Sequence, residues 1–365
     1  MGSNLLILFA TALSLQLPQS PSEPSQTSPA YNPVDDDEQP AAGFAYERLS
    51  DAVGYNRVQG LSLGAGYRLP LFRRTDLYAT VRYGVSDERL TGRLTAVSDA
   101  GMGQVALSGY DDVADIDPFA TGRSLANSMN ALFTAHDDGD YLLALGGSAS
   151  FVTELAPTLE LRVIGRVERH NSIRRIAESE VNDLLGGDGE FPENPAVEEG
   201  TFATFSAGVR GLGRTRWELT ADVLTGDSKT VPRLYGHVRR KLGWHDAILV
   251  QVNGGLGADQ SVPQMLFRLG GLHTVRGFEY GTSRAPSFWA AQVDVVPLKG
   301  RVRPLVFIDA GQAADTDELF SSRALVGAGA GVALLSGLVQ LQFSRPVSPD
   351  EGAKIRFDLV LQVGQ

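Results

Sequence analysis

From Gly43 onward the chain alternates apolar and polar residues with a period of two, which restricts it to extended strands with two chemically opposite faces. Leu77, Ala79, Val81, Tyr83 and Val85 stand against Tyr78, Thr80, Arg82 and Gly84. Leu61, Leu63, Ala65, Tyr67 and Leu69 repeat the pattern, as do Leu90, Leu94 and Ala96 against Arg89, Thr91, Arg93 and Thr95. Leu159, Leu161, Val163 and Val167 oppose Glu160, Arg162, Arg166 and Glu168, and Trp217, Leu219, Ala221 and Val223 oppose Arg216, Glu218, Thr220 and Asp222. Arginine and glutamate do not fill an apolar core, so the charged face belongs in water. A soluble sandwich also alternates, and periodicity alone leaves both architectures open.

Strand length and number separate them. The segments run about 9 to 11 residues, the length a tilted strand needs to cross a bilayer, whereas sandwich strands run nearer 5 or 6. About sixteen segments are read, an even number as bacterial barrels require. They lie near 43–50, 59–69, 76–85, 88–97, 102–110, 141–151, 158–170, 202–211, 215–224, 232–242, 247–256, 287–297, 303–311, 324–335, 337–343 and 354–363. Beyond the first twenty residues no apolar run approaches the roughly 18 residues of a spanning helix, so any span is built from strands. The longest connections, near 111–140, 171–201 and 257–286, are separated by two strands and then four. In an up-and-down barrel that spacing puts all three on one side of the membrane and both termini on the other. Ala156-Pro157 and Ser336-Gly337 suit the tight turns of the opposite side. The expected fold is all-β, a transmembrane antiparallel β-barrel of about sixteen strands over residues 43–365, placed in the bacterial outer membrane.

The remaining composition agrees. The chain has 41 glycines and no cysteine, and its net charge of −11 argues against a nucleic-acid partner, which needs clustered cations. Leu5 to Leu17 reads as the apolar core of an export signal, giving a signal segment over 1–30 that ends at the small residue Ala30, although Met1-Gly2-Ser3-Asn4 carries no cation. A buried N-terminal helix is the alternative reading of that run. Residues 31–42, with Asp35-Asp36-Asp37-Glu38, read as a disordered acidic tether.

The most specific string is LGGLHTVRGFEYG, Leu269 to Gly281. It resembles the L-G-G-x-x-x-V-R-G-F/Y signature of the BamA/TamA (bacterial surface antigen) family, and SFWAAQVDVVPL and RPLVFIDAG downstream look like the strands that follow that loop. The resemblance implies a barrel with an in-folded loop carrying Val275, Arg276, Gly277 and Phe278 that braces it for folding or transport. It implies a role in inserting or translocating proteins or lipidic cargo, with outer-membrane lipids as partners. The tether is too short for the periplasmic polypeptide-transport-associated domains of such proteins, which leaves two expectations open: a separately encoded periplasmic partner, or a protein that has kept only the barrel. On 287–297, Trp289, Ala291, Val293 and Val295 form one face and Gln292 and Asp294 the other; on 303–311, Val306, Ile308 and Ala310 oppose Phe307 and Asp309. A loop arginine folded onto that polar face meets a carboxylate, which pairs Arg276 with Asp309, then Asp294. An exposed loop arginine is the alternative. Gly352 with Phe357, Leu359, Leu361 and Val363 resembles the final-strand assembly signal of outer-membrane barrels, except that the chain ends Val363-Gly364-Gln365 instead of on an aromatic residue, so the expectation is recognition that is either weaker or shifted to Phe357.

No catalytic, cofactor or metal site is predicted. His136, His170, His237, His245 and His273 lack ligand spacing, and there is no G-x-S-x-G elbow. A passive pore is the second functional reading. A minor third, a lipid hydrolase, would rest on His170-Asn171-Ser172 at a strand end. Asp111, Asp112, Asp115 and Asp117, with Asp137, Asp138 and Asp140, read as solvated loop tips or as oxygen ligands for calcium.

Overall fold

The computed structural model describes residues 42–361 apart from 47–48, 120–121, 227–228, 259, 261, 299, 322 and 349–353. The signal segment, most of the tether, Gly352 and Val363 therefore lie outside the described residues. The chain divides into two compact units, one of Met1–Phe151, Arg166–Glu199 and Val363–Gln365 and one of Val152–Gly165 and Gly200–Gln362.

The first unit starts with β1 (Gly43–Phe44), the short helix α1 (Leu49–Ala52) and β2 (Val53–Asn56). There follow β3 (Gly60–Phe72), β4 (Thr75–Gly84), β5 (Leu90–Asp99) and β6 (Gln104–Asp115), each antiparallel to the one before. Helix α2 (Leu125–Thr134) then leads to β7 (Tyr141–Ala156) and β8 (Leu159–Ser172), whose residues are shared between the units, and to α3 (Glu180–Leu184). The predicted strand 43–50 is corrected. Two residues of β1 pair with Tyr67 and Arg68 of β3, after which the chain leaves the sheet as α1 and rejoins it opposite Leu63 as β2. The detour is anchored by Asp51, buried and paired with Arg123 (3.1 Å) and Arg82 (3.7 Å).

The second unit is one antiparallel meander: β9 (Gly200–Leu212), β10 (Thr215–Thr225), β11 (Thr230–Leu242), β12 (Ile248–Gly257), then β13 (Phe267–Leu269) and β14 (Ser283–Ala285) as a separate ribbon. It continues with β15 (Ser287–Val295), β16 (Val302–Ala314), β17 (Leu325–Leu334), β18 (Val339–Ser348) and β19 (Arg356–Leu361). All strands except β13 and β14 belong to one sheet of seventeen.

Fifteen of the sixteen expected segments fall on strands of this sheet, and two and then four strands separate the long connections, as expected. Several strands are longer than foreseen: β7 has 16 residues and β8 has 14. The extra residues of β7, 152–156, lie at its far end, before the turn at Pro157. At its foreseen start Tyr141, Leu142 and Ala144 are buried among Val58, Val113, Ile173 and Val197, so the strand begins inside the packed connections. Likewise β6 runs to Asp115, so 111–115 is strand rather than connection.

Burial is inverted relative to a water-soluble sheet. In the first unit Leu63, Tyr67, Val81, Tyr83, Leu94 and Leu107 are exposed, while Ser62, Arg82, Thr91 and Thr95 on the opposite face are buried. In the second unit Leu219, Val223, Leu234, Val238, Val252, Val306, Ile308 and Phe343 are exposed and Thr220, Asp222, Asn253, Gln292, Gln340 and Gln342 are buried. At about 1 kcal/mol for each half-exposed side chain, leaving the second set in water would cost an amount comparable to the whole net stability of a domain. Lipid removes that cost. Among the described residues no helix is long and apolar enough to cross a membrane.

Candidate functional site: a buried arginine tip

Between β12 and β15 the chain folds into a long loop whose neck is the β13–β14 ribbon, with Leu269 opposite Ser283. Gly270 turns with φ +109°, and the Thr274 hydroxyl accepts from the Gly270 N–H and donates to its carbonyl, both at 2.8 Å. The polar face of the sheet then holds the loop's backbone: Asn253 on β12 donates to the His273 carbonyl (2.7 Å) and Gln292 on β15 to that of Leu272 (3.0 Å). Strand alternation explains why. Asn253 and Gln292 occupy the positions facing away from lipid, and as buried amides they need partners.

These contacts deliver Arg276 to the carboxylates. Its Nε and Nη2 donate to Oδ2 and Oδ1 of Asp309, both at 2.7 Å, and its backbone N–H donates to Oδ2 at 2.9 Å. Nη2 also reaches Asp294 at 2.5 Å, Nη1 reaches Gln342 at 3.3 Å, and the guanidinium lies 3.7 Å from the centre of the Phe307 ring. Arg276 and Asp309 are almost fully buried, so the fork-to-fork pair is shielded from water where charge-assisted bonds are strongest. Burial works against the guanidinium's charge, but bonding and charge from Asp309, then Asp294, outweigh it and hold its pKa above the ordinary value.

Two glycines make the approach possible. Gly277 has φ +94°, and a Cβ there would lie 2.6 Å from the Arg345 carbonyl carbon of β18; one on Gly327 of β17 would lie 1.9 Å from the Arg276 carbonyl oxygen. Val275 is completely buried, and Phe278 is buried with its carbonyl accepting from Gly271 (3.0 Å) and Arg356 (3.3 Å). Arg356 also pairs with Asp358 on β19 (2.8 Å), while Phe357 stacks on Phe343 at 5.0 Å, and Leu359 and Leu361 share the Phe357 face. The structure thus brings Val275, Arg276, Gly277, Phe278, Asp294, Gln292 and Asp309 into one cluster, and the sequence reading missed Gln342, Phe307 and Arg356.

A second buried arginine lies in the first unit and was not foreseen at all. Arg57, in the turn between β2 and β3, donates to the carbonyls of Asp137 (2.8 Å), Pro192 and Glu193 (both 3.3 Å) and to that of Gly139. Its backbone N–H and Nε reach the Asp137 carboxylate at 2.8 and 3.4 Å. The Asp137 carboxylate also accepts from Asn127 and Tyr141, both at 2.7 Å; burial nevertheless raises its pKa, outweighing the charge of Arg57. One side chain therefore joins the connections 116–140 and 173–199. This corrects the picture of solvated acidic tips: Asp112, Asp115, Asp117, Asp137, Asp138 and Asp140 are all buried. Among the described residues no group of three or more His, Cys, Asp or Glu is arranged to hold a metal ion.

The Ser172 hydroxyl accepts from the Val197 N–H (3.2 Å) and donates to its carbonyl (3.4 Å), fastening the 173–199 connection, while His170 turns to Glu168 at 3.4 Å.

Lipid-facing apolar strands, polar opposite faces and a loop docked on them define the chain as an outer-membrane β-barrel. No family model and no curated protein matches the sequence. Among solved structures, BamA from Haemophilus ducreyi lacking POTRA domains 1–3 is similar at 13% identity and TM-score 0.57, over 84% of this chain and 68% of that one. CdiB from Acinetobacter baumannii (15% identity, TM-score 0.46, 85% and 58% covered) and CdiB from Escherichia coli (14%, 0.45, 92% and 68%) also match. The fold is that of the BamA barrel, and with its apolar strand faces turned outward such a barrel belongs in the bacterial outer membrane.

Proposed function

We propose that this barrel assists the insertion or translocation of proteins or lipidic cargo at the outer membrane, with the Val275-Arg276-Gly277-Phe278 tip as the brace that keeps it competent. The observation that carries the reading is the Arg276 cluster. One loop residue is bonded to β15, β16 and β18 at once, which is what a strut resisting load across a sheet requires. Outer-membrane lipids contact the exposed apolar faces in this reading, and a separately encoded periplasmic partner delivers clients.

The test is depletion of the protein followed by quantification of other outer-membrane proteins and surface lipids, with complementation by the parent, Arg276→Lys and Arg276→Ala. Loss of specific outer-membrane components that the parent restores and Arg276→Ala does not is the expected result; Lys, lacking the fork, restores poorly. The second reading, a passive pore, is favoured by the charged polar faces. Planar-bilayer conductance indifferent to Arg276→Ala, with an unchanged outer-membrane proteome after depletion, would establish it instead.

A further inference from the structure

Within the second unit, most arginines on the polar face have carboxylate partners. Arg210 pairs with Glu160 (2.7 Å), Arg233 with Asp222 (2.9 Å), Arg276 with Asp309 and Arg356 with Asp358. The end of the sheet where β9 turns into β10, β11 into β12 and β15 into β16 is different. Arg216 on β10, Arg239 and Lys241 on β11 and Arg303 on β16 all take the alternation phase of that polar face, shared with Asp222, Arg233 and Asp309. Arg216 and Arg239 are direct cross-strand partners, and Lys241 lies within electrostatic reach of Arg239, Arg216 and Arg303. Like charges directly opposite one another destabilise a sheet unless something compensates them.

Among the described residues none of these four cations has a carboxylate within ion-pair distance, and the Nε of Arg303 is buried without a hydrogen-bond acceptor. The carboxylates in their neighbourhood are otherwise disposed: Asp294 is held by Arg276 at 2.5 Å, Glu218 takes the Thr220 hydroxyl at 3.3 Å, and Asp246 sits in the turn after β11. In a chain of net charge −11, four clustered cations without ion-pair partners, Arg216 and Lys241 exposed and Arg239 and Arg303 half-buried, make a local positive patch that attracts an anion.

We infer that Arg216, Arg239, Lys241 and Arg303 form a binding site for an extended acidic polypeptide segment entering from the short-turn end of the barrel. Spacing favours a polypeptide over a single phosphate. The four residues lie on β10, β11 and β16, with β12 and β15 between, so the backbone span from Arg216 to Arg303 is roughly 19 Å at 4.8 Å per strand step, whereas a phosphate gathers its arginines onto one point. An extended acidic chain presents carboxylates on one face roughly 7 Å apart and so meets the cations in succession. The site goes beyond the bracing role of Arg276. Failure of the depletion test would leave it standing, and failure of binding would leave the client reading standing.

The experiment uses the full chain folded in detergent micelles and a fluorescent peptide of alternating glutamate and threonine, followed by anisotropy at two salt concentrations. The parent is expected to bind with salt-sensitive affinity, and Arg239→Gln/Lys241→Gln to bind about tenfold more weakly with a flatter salt dependence. Arg240→Gln, on the opposite face of the same strand, should bind like the parent. Should the double variant not fold, as judged by heat-modifiable gel mobility, Arg216→Gln and Arg303→Gln singly should each cost about threefold. No binding by the parent, equal binding by the variants, or capture of inorganic tripolyphosphate without capture of the peptide would overturn the assignment.

Discussion

Replacing Asp309 with alanine tests the arginine tip most directly. The substitution removes three bonds at once: the two parallel donations from the Arg276 fork at 2.7 Å and the one from its backbone at 2.9 Å. Breaking a buried ion pair by deleting one partner costs about 3–5 kcal/mol, mostly because the surviving charge is left without compensation. Here Asp294, Gln342 and the Phe307 ring remain on the guanidinium, which puts the expected loss at the lower end, about 3 kcal/mol, or roughly a hundredfold in the folding equilibrium. Asp294→Ala removes one bond from a carboxylate whose side chain is 15% exposed and should cost only about 1 kcal/mol. Asp309→Asn, which keeps the shape and loses the charge, should fall between them. Urea titration in detergent read by heat-modifiable mobility gives all three on one scale. Parental stability of Asp309→Ala, or Asp294→Ala as the more damaging change, would refute the pairing as the source of the tip's anchorage.

Other consequences can be checked with similar means. Gly277→Ala forces a side chain into a left-handed backbone and against the β18 carbonyl, and should cost at least about 2 kcal/mol in the same titration. Arg57→Ala should open the connections 116–140 and 173–199 to limited trypsin digestion while the strands stay protected, and Arg57→Lys should not restore protection, because one ammonium cannot reach carbonyls on both segments. Because burial raises the Asp137 pKa, the folded form takes up a proton more readily than the unfolded chain. Its contribution is therefore present below the ordinary carboxylate value of 3.8 and is lost as pH rises through the raised one; urea midpoints measured across that window should show the change, and Asp137→Asn should abolish it. Trp244, 84% exposed in the turn after β11, should be quenched in liposomes by probes at headgroup depth more than by probes at the bilayer centre.

The sequence made the strands legible because lipid and water select side chains by odd and even position, a rule that needs no knowledge of partners. The pairing of Arg276 with Asp309 was legible for the same reason: Asp309 and Asp294 had to lie on the face that a returning loop would touch. Arg57 was not legible, since most of its partners are backbone carbonyls of residues 137, 139, 192 and 193, and carbonyls carry no sequence signal. The buried acids of 112–140 escaped notice because a run of aspartates reads as solvated until the connection folds over it. The break at α1 depends on Asp51 meeting Arg123 and Arg82, a long-range match that local alternation cannot announce.

The tip also has a strand alignment written into it. Asp294, Asp309 and Gln342 come from three strands that follow Arg276 in the chain, and the Phe278 carbonyl waits for Arg356 near the end of the described residues. The arginine thus completes its contacts only when β15, β16 and β18 stand in register, so the docked loop is a latch that fits one strand alignment and no other.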